Sequence, residues 1–175
     1  MSEVPLRCVV DTNVATTANG ANAGAPITCV AASAKALQLV MKSGHVFVDT
    51  SGLIVSEYRT NLSAKGQPGP GDAFLKWILT HEWGGVQVTR VPITAKPHDD
   101  EDFKELTAPP QGVVYDRSDK KFLAVAAAHS EKPPILQSFD SKWWGWQEAL
   151  NQDGVSIYFV CADAIAAKYA EKMSQ

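Results

Sequence analysis

Five short apolar runs alternate with longer segments whose apolar residues recur at helical spacing, and this alternation constrains the fold more than any other feature. Apolar runs without inside–outside alternation are typical of inner strands of a parallel sheet, because both faces of such a sheet are covered. Strands that alternate with helices favour right-handed crossovers. The predicted fold class is therefore α/β, with three layers (α/β/α) and a central, mostly parallel sheet of four or five strands in the order 3-2-1-4-5.

The apolar runs predict strands at residues 7–10, 45–49, 87–91, 135–139 and 155–160. Helices are predicted at 26–44, 53–62, 72–79, 120–129, 141–151 and 162–172. Thr50-Ser51, Asp72 and Ser118 are the expected helix caps. The small residues at 18–25 and the polar segment 94–112, which includes the acidic run 99–102, are expected to be loops, the acidic run being solvated. No linker divides the chain, so residues 1–175 are predicted to form one domain.

Charge and cysteine content restrict the function classes. The chain has 175 residues, a net charge of −3 and a pI near 5.8, so it lacks the broad basic surface of a strong non-specific nucleic-acid binder. No apolar run approaches the roughly 18 residues of a membrane span, and the residues before the first strand lack the basic-then-apolar layout expected of a signal peptide. These observations predict a cytoplasmic protein with no membrane partner. Cys8, Cys29 and Cys161 are widely spaced and odd in number, and we expect reduced thiols.

Acidic residues stand where the predicted sheet should open. Asp11 follows the first strand and Asp140 follows the fourth. These strands are neighbours in the order 3-2-1-4-5, so both carboxylates should border the crevice at the switch point of the sheet. Asp119 begins the helix that precedes the fourth strand, and Glu57 shares a helix face with apolar residues. Each of these acids, taken alone, is also typical of a turn or of the first turn of a helix.

Several carboxylates in one crevice repel one another unless cations lie between them. Oxygen ligands without histidine or cysteine favour Mg²⁺ or Mn²⁺ over zinc. Such sites suit the hydrolysis of phosphodiesters by metal-activated water. The four histidines share no ligand spacing.

These motifs, taken in order, resemble a PIN domain, the fold of a family of metal-dependent ribonucleases. The resemblance extends from residue 7 to about residue 160 and rests on four motifs. They are Val9-Val10-Asp11-Thr12-Asn13, Ser56-Glu57-Tyr58, Asp116-Arg117-Ser118-Asp119-Lys120-Lys121-Phe122 and Phe139-Asp140. By position, Asp11, Glu57, Asp119 and Asp140 match the acidic metal-binding quartet of the family, Thr12 or Asn13 matches the residues that orient the first Asp, and Asp116 is a second acid that binds through water.

The resemblance implies endonucleolytic hydrolysis of RNA, with one or two Mg²⁺ or Mn²⁺ ions as cofactor. Many small PIN proteins are toxins, which implies an antitoxin or a second copy of the chain as a further partner. This sequence is longer than the usual compact toxin and has an expanded loop at 94–112. The nuclease chemistry is therefore better supported than the toxin role.

Other interpretations are weighed against this one. Arg59, Lys120, Lys121 and Lys142 lie near the acids in sequence and could hold phosphates, although surface lysines and arginines are common. Trp143, Trp144 and Trp146 could stack on RNA bases, but such a cluster more often packs against a sheet. A haloacid-dehalogenase-type phosphatase would need a second Asp in place of Asn13. The alternative from a different class is a non-catalytic PIN-like module that binds RNA or a protein.

Overall fold

The structure, a computed structural model, describes residues 3–66 and 68–174. Its strands are β1 (Arg7–Val10), β2 (His45–Asp49), β3 (Val88–Val91), β4 (Ala95–Lys96), β5 (Asp99–Phe103), β6 (Ile135–Gln137) and β7 (Ile157–Phe159). Its α-helices are α1 (Thr12–Ala18), α2 (Ile27–Ser43), α3 (Leu53–Asn61), α4 (Pro70–His81), α5 (Lys120–Ala128), α6 (Ser141–Gln152) and α7 (Ala162–Met173).

Five strands form one parallel sheet in the order β3-β2-β1-β6-β7. With the two short strands β4 and β5 set aside, this is the predicted order 3-2-1-4-5, which is confirmed. Helix α5 packs against β1, β2 and β6, whereas α2 packs against β2, α1 and α4. This packing is compatible with the predicted three layers.

The central strands are buried on both faces, as their continuous apolar runs predict. Residues 8–10 of β1 and 46–48 of β2 have no exposed surface. Val9 lies opposite Ile135 of β6, and Cys8 lies opposite Val46 of β2. Strand β1 is therefore the middle of the sheet, and its carboxyl end opens between β2 and β6.

Helix α1 was not predicted, because the segment after β1 was interpreted only as the polar end of a strand leading to a loop. Its sequence, TNVATTA, is rich in β-branched residues and has weak intrinsic helix propensity. The helix is stabilised by burial of Val14 and Ala15 and by a cap, since Asp11 Oδ1 accepts a hydrogen bond of 2.8 Å from the Asn13 N–H. The chain therefore turns directly from β1 into a helix at Asp11.

The acidic run 99–102 is not the solvated loop that the sequence predicts. It lies in β5, which pairs in antiparallel fashion with β4. Arg117 pairs with Asp99 (2.8 Å) and Glu101 (2.7 Å), and Lys96 pairs with Asp102 (2.9 Å). Cations from distant parts of the sequence thus offset the repulsion that a run of like charges creates.

The expected helix caps also differ from those observed. Both carboxylate oxygens of Asp49, rather than the Thr50 or Ser51 hydroxyls, accept the first N–H groups of α3. Ser118 caps no helix, because a 3-10 turn, Arg117–Asp119, leads directly into α5. Asp72 does act at the start of α4, but from inside the helix, where its carboxylate accepts the Gly69 N–H.

Two tryptophans belong to the core rather than to a stacking surface. Trp143 has no exposed surface and Trp146 has 7% exposed, and their ring centroids lie 5.3 Å apart. Trp144 packs against Phe159 of β7 at a centroid distance of 5.1 Å. The packing interpretation is confirmed for the two buried rings, which anchor α6 against the sheet.

The prediction of three reduced thiols is wrong for two of them. Cys29, in the first turn of α2, forms a disulfide with Cys161, the residue before α7, and their Cα atoms are 5.3 Å apart. Their sequence separation of 132 conceals this proximity, because only the folded chain brings the two helix starts together. Cys8 is free and buried. Disulfides are rare in the cytosol, and the cytoplasmic location stays a prediction.

Across residues 3–66 and 68–174, no helix has the length and apolar character to cross a membrane.

Candidate functional site

Asp11 stands at the carboxyl end of the central strand. Its N–H donates to Leu136 O of β6 (3.1 Å), so the β1–β6 ladder continues up to this residue. The residue has only 4% of its surface exposed. Within the described residues, its carboxylate makes a single hydrogen bond, from the Asn13 N–H, and no ion pair. A buried carboxylate is thus held at the point where the sheet opens, with one oxygen uncommitted.

Glu57 approaches the same point from α3. The hydroxyl of the next residue, Tyr58, is fully buried and donates to Val10 O, the last carbonyl of β1. This bond fixes the helix against the strand end, so Glu57 lies near Asp11. The Glu57 carboxylate forms an ion pair with Lys121 of α5.

Asp119 and Asp140 complete the quartet from the other side. Asp119 ends the 3-10 turn before α5 and has 8% exposed surface, whereas Asp140 precedes α6 and accepts the Lys142 N–H at 3.2 Å. The ammonium of Lys142 lies 2.8 Å from Asp119 Oδ2 and 3.3 Å from Asp140 Oδ2, and it also contacts Asp116. One lysine thus contacts the carboxylates of three acids that the sequence motifs identify as candidates.

The electrostatics of Asp11 reflect this convergence. Burial, first, and then the charges of Asp119, Glu57 and Asp140 together raise the pKa of Asp11 from 3.8 to about 8, against the opposing effect of the Asn13 N–H. Three carboxylates from three other elements therefore act on one buried acid. We call Asp11, Glu57, Asp119 and Asp140, with Asp116 at the edge, the acidic crevice.

The charges of Asp119 and Lys142 each shift the pKa of the other residue. Burial raises the pKa of Asp119, the Lys142 ammonium opposes that shift, and Asp140 and Asp116 add to it. Burial alone would lower the pKa of Lys142, but the Asp116 and Asp119 carboxylates, with the charge of Asp140, raise it above its ordinary value. Lys142 is therefore a permanent cation.

Thr12 and Asn13, the polar residues expected to orient Asp11, have different surroundings. Asn13 acts on Asp11 only through its backbone N–H, and its side-chain oxygen accepts the Phe139 N–H at 2.7 Å. It therefore ties the end of β1 to the segment that carries Asp140. The Thr12 hydroxyl is buried and makes no hydrogen bond within the described chain.

Of the four basic residues that could hold phosphates, Lys142 and Lys121 touch the crevice, whereas Arg59 and Lys120 do not. Arg59 lies 3.8 Å from Glu82, and its side chain is 60% exposed. Lys120 points to Asp102 of the hairpin at 3.4 Å. Lys121, by contrast, reaches Glu57, so adjacent lysines in the sequence have different partners.

A cavity of about 270 Å³ opens beside Glu57. Its walls come from α3, from the acidic β4–β5 hairpin and from the turn before α5, and they include Ser56, Phe103 and Arg117. The β4–β5 hairpin, which the sequence predicts to be a loop, therefore forms one side of a recess that borders the crevice.

Asp49 is a second buried acid at a strand end, and the sequence does not separate it from Asp11. It ends β2, the neighbour of β1, and it has no exposed surface. Its two oxygens accept the Leu53 and Ile54 N–H groups, both at 2.8 Å. Asp49 is therefore a structural cap, with no oxygen left for a ligand.

The donor set of the crevice suits a hard divalent cation, since it consists of carboxylate oxygens. The uncommitted oxygen of Asp11, a residue with only 4% of its surface exposed and with the charges of three other acids acting on it, is the feature that fits such an ion best. These carboxylates do not, however, form a complete coordination shell. No group of three or more His, Cys, Asp and Glu side chains is arranged to hold a metal within the described part of the chain. The lysines are the nearest partners of the other acids.

Comparison with family models, with curated proteins and with solved structures finds no match to this chain.

Proposed function

We propose that this protein is a PIN-like, Mg²⁺- or Mn²⁺-dependent endoribonuclease that hydrolyses RNA phosphodiesters at the acidic crevice. The single observation that carries the proposal is the convergence of Asp11, Glu57, Asp119 and Asp140. They come from four separate elements and surround one buried carboxylate whose pKa is about 8. Structural acids in a core are satisfied by a cation or by hydrogen bonds, as Asp49 is, whereas this group has more carboxylates than nearby cations.

Asp11, Asp119 and Asp140 are the residues that would hold the cation, with Glu57 on the opposite side. A divalent ion bound there would supply neutralising charge and Lewis acidity toward the phosphodiester and the attacking water. Asp11 is held by the β1–β6 ladder and by the Asn13 N–H, so its uncommitted oxygen has a fixed direction. Asp116, with a side chain 52% exposed, is placed to act through water rather than directly.

The basic side chains around the crevice would orient the substrate. Lys142 and Lys121 are within reach of a phosphate that approaches the acids, whereas Arg59 and Lys120 are committed elsewhere. The recess beside Glu57 offers Ser56 as a polar group for an adjacent nucleotide, whereas its Arg117 is paired with Asp99 and Glu101. Such local contacts are compatible with a net charge of −3, which argues against broad electrostatic binding.

The proposal is tested by RNA digestion. A single-stranded RNA should be cut internally in Mg²⁺ or Mn²⁺, and EDTA should abolish the cleavage. Asp11→Asn and Asp119→Asn should both be inactive, because each removes a charge that the cation needs. Asp163→Asn, on the exposed first turn of α7, is the matched control and should cleave as the wild type does.

Equal rates for the wild type and Asp11→Asn, purified in the same way, would refute the nuclease assignment. Cleavage that persists in EDTA would refute the metal requirement. Mutants should be checked for a cooperative melting transition, so that loss of activity is not confused with loss of fold.

A second candidate function is a PIN-like module that binds RNA or a protein without cleaving it. The observation that favours it is the engagement of Glu57, Asp119 and Asp140 by lysines, which leaves no preformed metal cluster in the described chain. RNA retention with no cleavage in any divalent ion would support this alternative. A toxin role, with an antitoxin or a second copy as partner, remains a prediction from the family resemblance.

A further inference from the structure

Lys142 lies among the carboxylates on the Asp119 and Asp140 side of the acidic crevice. It lies in the first turn of α6, two residues after Asp140. Its ammonium is 2.8 Å from Asp119 Oδ2 and 3.3 Å from Asp140 Oδ2, and it contacts Asp116 as well. One positive charge thus sits among three carboxylates that come from two segments of the chain.

The backbone of Lys142 is fixed, but its ammonium is not. The Lys142 N–H donates to Asp140 Oδ1, and α6 is anchored by Trp143, which has no exposed surface. The side chain itself is 29% exposed and passes Trp146, with Nζ 5.7 Å from the ring centroid. A lysine carries its charge on a flexible four-carbon stem, so the ammonium can leave the carboxylates without any movement of the helix.

We propose that Lys142 is an exchangeable counter-ion: its ammonium neutralises Asp116, Asp119 and Asp140 in the metal-free protein, and it must leave them before a divalent cation can bind. This inference rests on the proposed metal-dependent function and adds a regulatory feature to the same site. The reason is electrostatic and steric. An ammonium at hydrogen-bonding distance from two carboxylates fills the space between them, and two cations a few ångströms apart repel strongly in a partly buried site.

The exchange has a measurable consequence for metal affinity. A ligand whose binding-competent state is only partly populated has its apparent affinity reduced by that fraction. While Lys142 holds the carboxylates, the crevice is closed to metal. Removal of the ammonium should therefore tighten metal binding, even though the residue supplies no metal ligand.

In the experiment, Mn²⁺ is titrated into chelator-treated protein and its binding is measured by isothermal titration calorimetry. Melting temperatures are recorded without and with Mn²⁺. Three variants are compared with the wild type. Lys142→Met keeps an unbranched stem against Trp146 but carries no charge. Lys142→Arg keeps the charge. Lys96→Met is the control for net charge, because Lys96 also pairs with a carboxylate, Asp102, but in the hairpin.

Lys142→Met should bind Mn²⁺ at least about tenfold more tightly than the wild type, the effect expected if the open state is a minor population. Its melting temperature should be lower without metal, because three carboxylates lose their cation, and should rise further on addition of Mn²⁺. Lys142→Arg should stay close to the wild type in affinity. Lys96→Met should change Mn²⁺ affinity by less than about threefold, since an exposed charge outside the crevice is screened.

The contrary outcomes are separable. If Lys142→Met and the wild type bind Mn²⁺ equally, the exchange is refuted while the metal site stands. If Lys142→Met binds more weakly, Lys142 supports the metal instead of competing with it, which also refutes the inference. If no variant binds Mn²⁺, the proposed metal-dependent function fails and the exchange fails with it. Should Lys142→Met fail to fold, Lys142→Gln is measured in its place and read by the same criteria.

Discussion

Replacement of Asp11 by Asn should stabilise the metal-free protein at neutral pH, although it should also abolish activity. Asn has the same shape and keeps the side-chain oxygen that accepts the Asn13 N–H. It removes only the negative charge. That charge is unfavourable in the folded state, because burial and the neighbouring carboxylates raise the pKa of Asp11 from 3.8 to about 8.

The size of the effect follows from proton linkage. A group with a raised pKa binds its proton more tightly in the folded than in the unfolded state, so the free energy of unfolding falls as pH rises between the two pKa values. For Asp11 this window extends from about pH 4 to about pH 8. At pH 7 it covers about three pH units, and at about 1.4 kcal/mol per unit the upper limit is about 4 kcal/mol. We expect a gain of about 1–3 kcal/mol, because relaxation and water lower the penalty of a buried charge.

The assay is urea unfolding followed by tryptophan fluorescence, in EDTA, from pH 4 to pH 8. Asp11→Asn should come close to the wild type near pH 4, where Asp11 is protonated in the folded state and only about half ionised in the unfolded state, and should become progressively more stable toward pH 8. Asp49→Asn is the matched control, since Asp49 is a buried acid at the end of the neighbouring strand. Its two oxygens both accept backbone N–H groups, so the amide puts a donor against a donor. That variant should lose about 1–3 kcal/mol.

Two results would refute this reasoning. A gain for Asp11→Asn that does not change with pH would show that the charge is not its source. A loss of stability at pH 7 to 8 would show that Asp11 is ionised and already paired with a cation in the folded protein.

Three further predictions concern the framework of the site. Tyr58→Phe should lower the free energy of unfolding by about 1–3 kcal/mol in urea titrations, because Val10 O loses its buried donor. Asn13→Ala should reduce the rate of RNA cleavage by more than its loss of stability accounts for. The cleavage rates and melting temperatures of the variant and the wild type test this. Cys161→Ala should destabilise the oxidised protein by at most about 5 kcal/mol, the chain-entropy estimate for a loop of this length. Dithiothreitol should lower the stability of the wild type but not that of the variant, and an unchanged wild type would show that Cys29 and Cys161 are not bonded in solution.

The sheet could be predicted from the sequence because its signals are local. The continuous apolar runs at β1 and β2 report strands buried on both faces, and burial of Val9 and Phe47 agrees with that. The strand order follows from general rules for doubly wound sheets, and here those rules hold. The positions of Asp11 and Asp140 follow in turn, because each comes after a strand whose place in the sheet is fixed.

The features that could not be predicted depend on contacts between residues far apart in sequence. The hairpin strand β5 contains four consecutive acids and would be a poor strand alone, but Arg117 lies close enough to pair with two of them. The Cys29–Cys161 bond requires two helix starts to meet across a sequence separation of 132. Helix α1 has weak propensity and exists because its apolar side chains are buried. In each case tertiary contacts outweigh the local signal.

The contrast between Asp11 and Asp49 shows what determines whether a buried acid is available for chemistry. Each acid stands at the carboxyl end of a central strand and begins the way into a helix. After Asp49 the chain passes through Gly52, whose φ of 79° turns the backbone so that two amides of α3 face the carboxylate and occupy both oxygens. After Asp11 the chain enters α1 at once, so only one amide is in reach and one oxygen stays uncommitted. Both acids cap a helix, and the path of the chain in the few residues after the strand decides whether both carboxylate oxygens are occupied, as at Asp49, or one stays uncommitted, as at Asp11. The positive φ of Gly52 is the local feature that distinguishes the two.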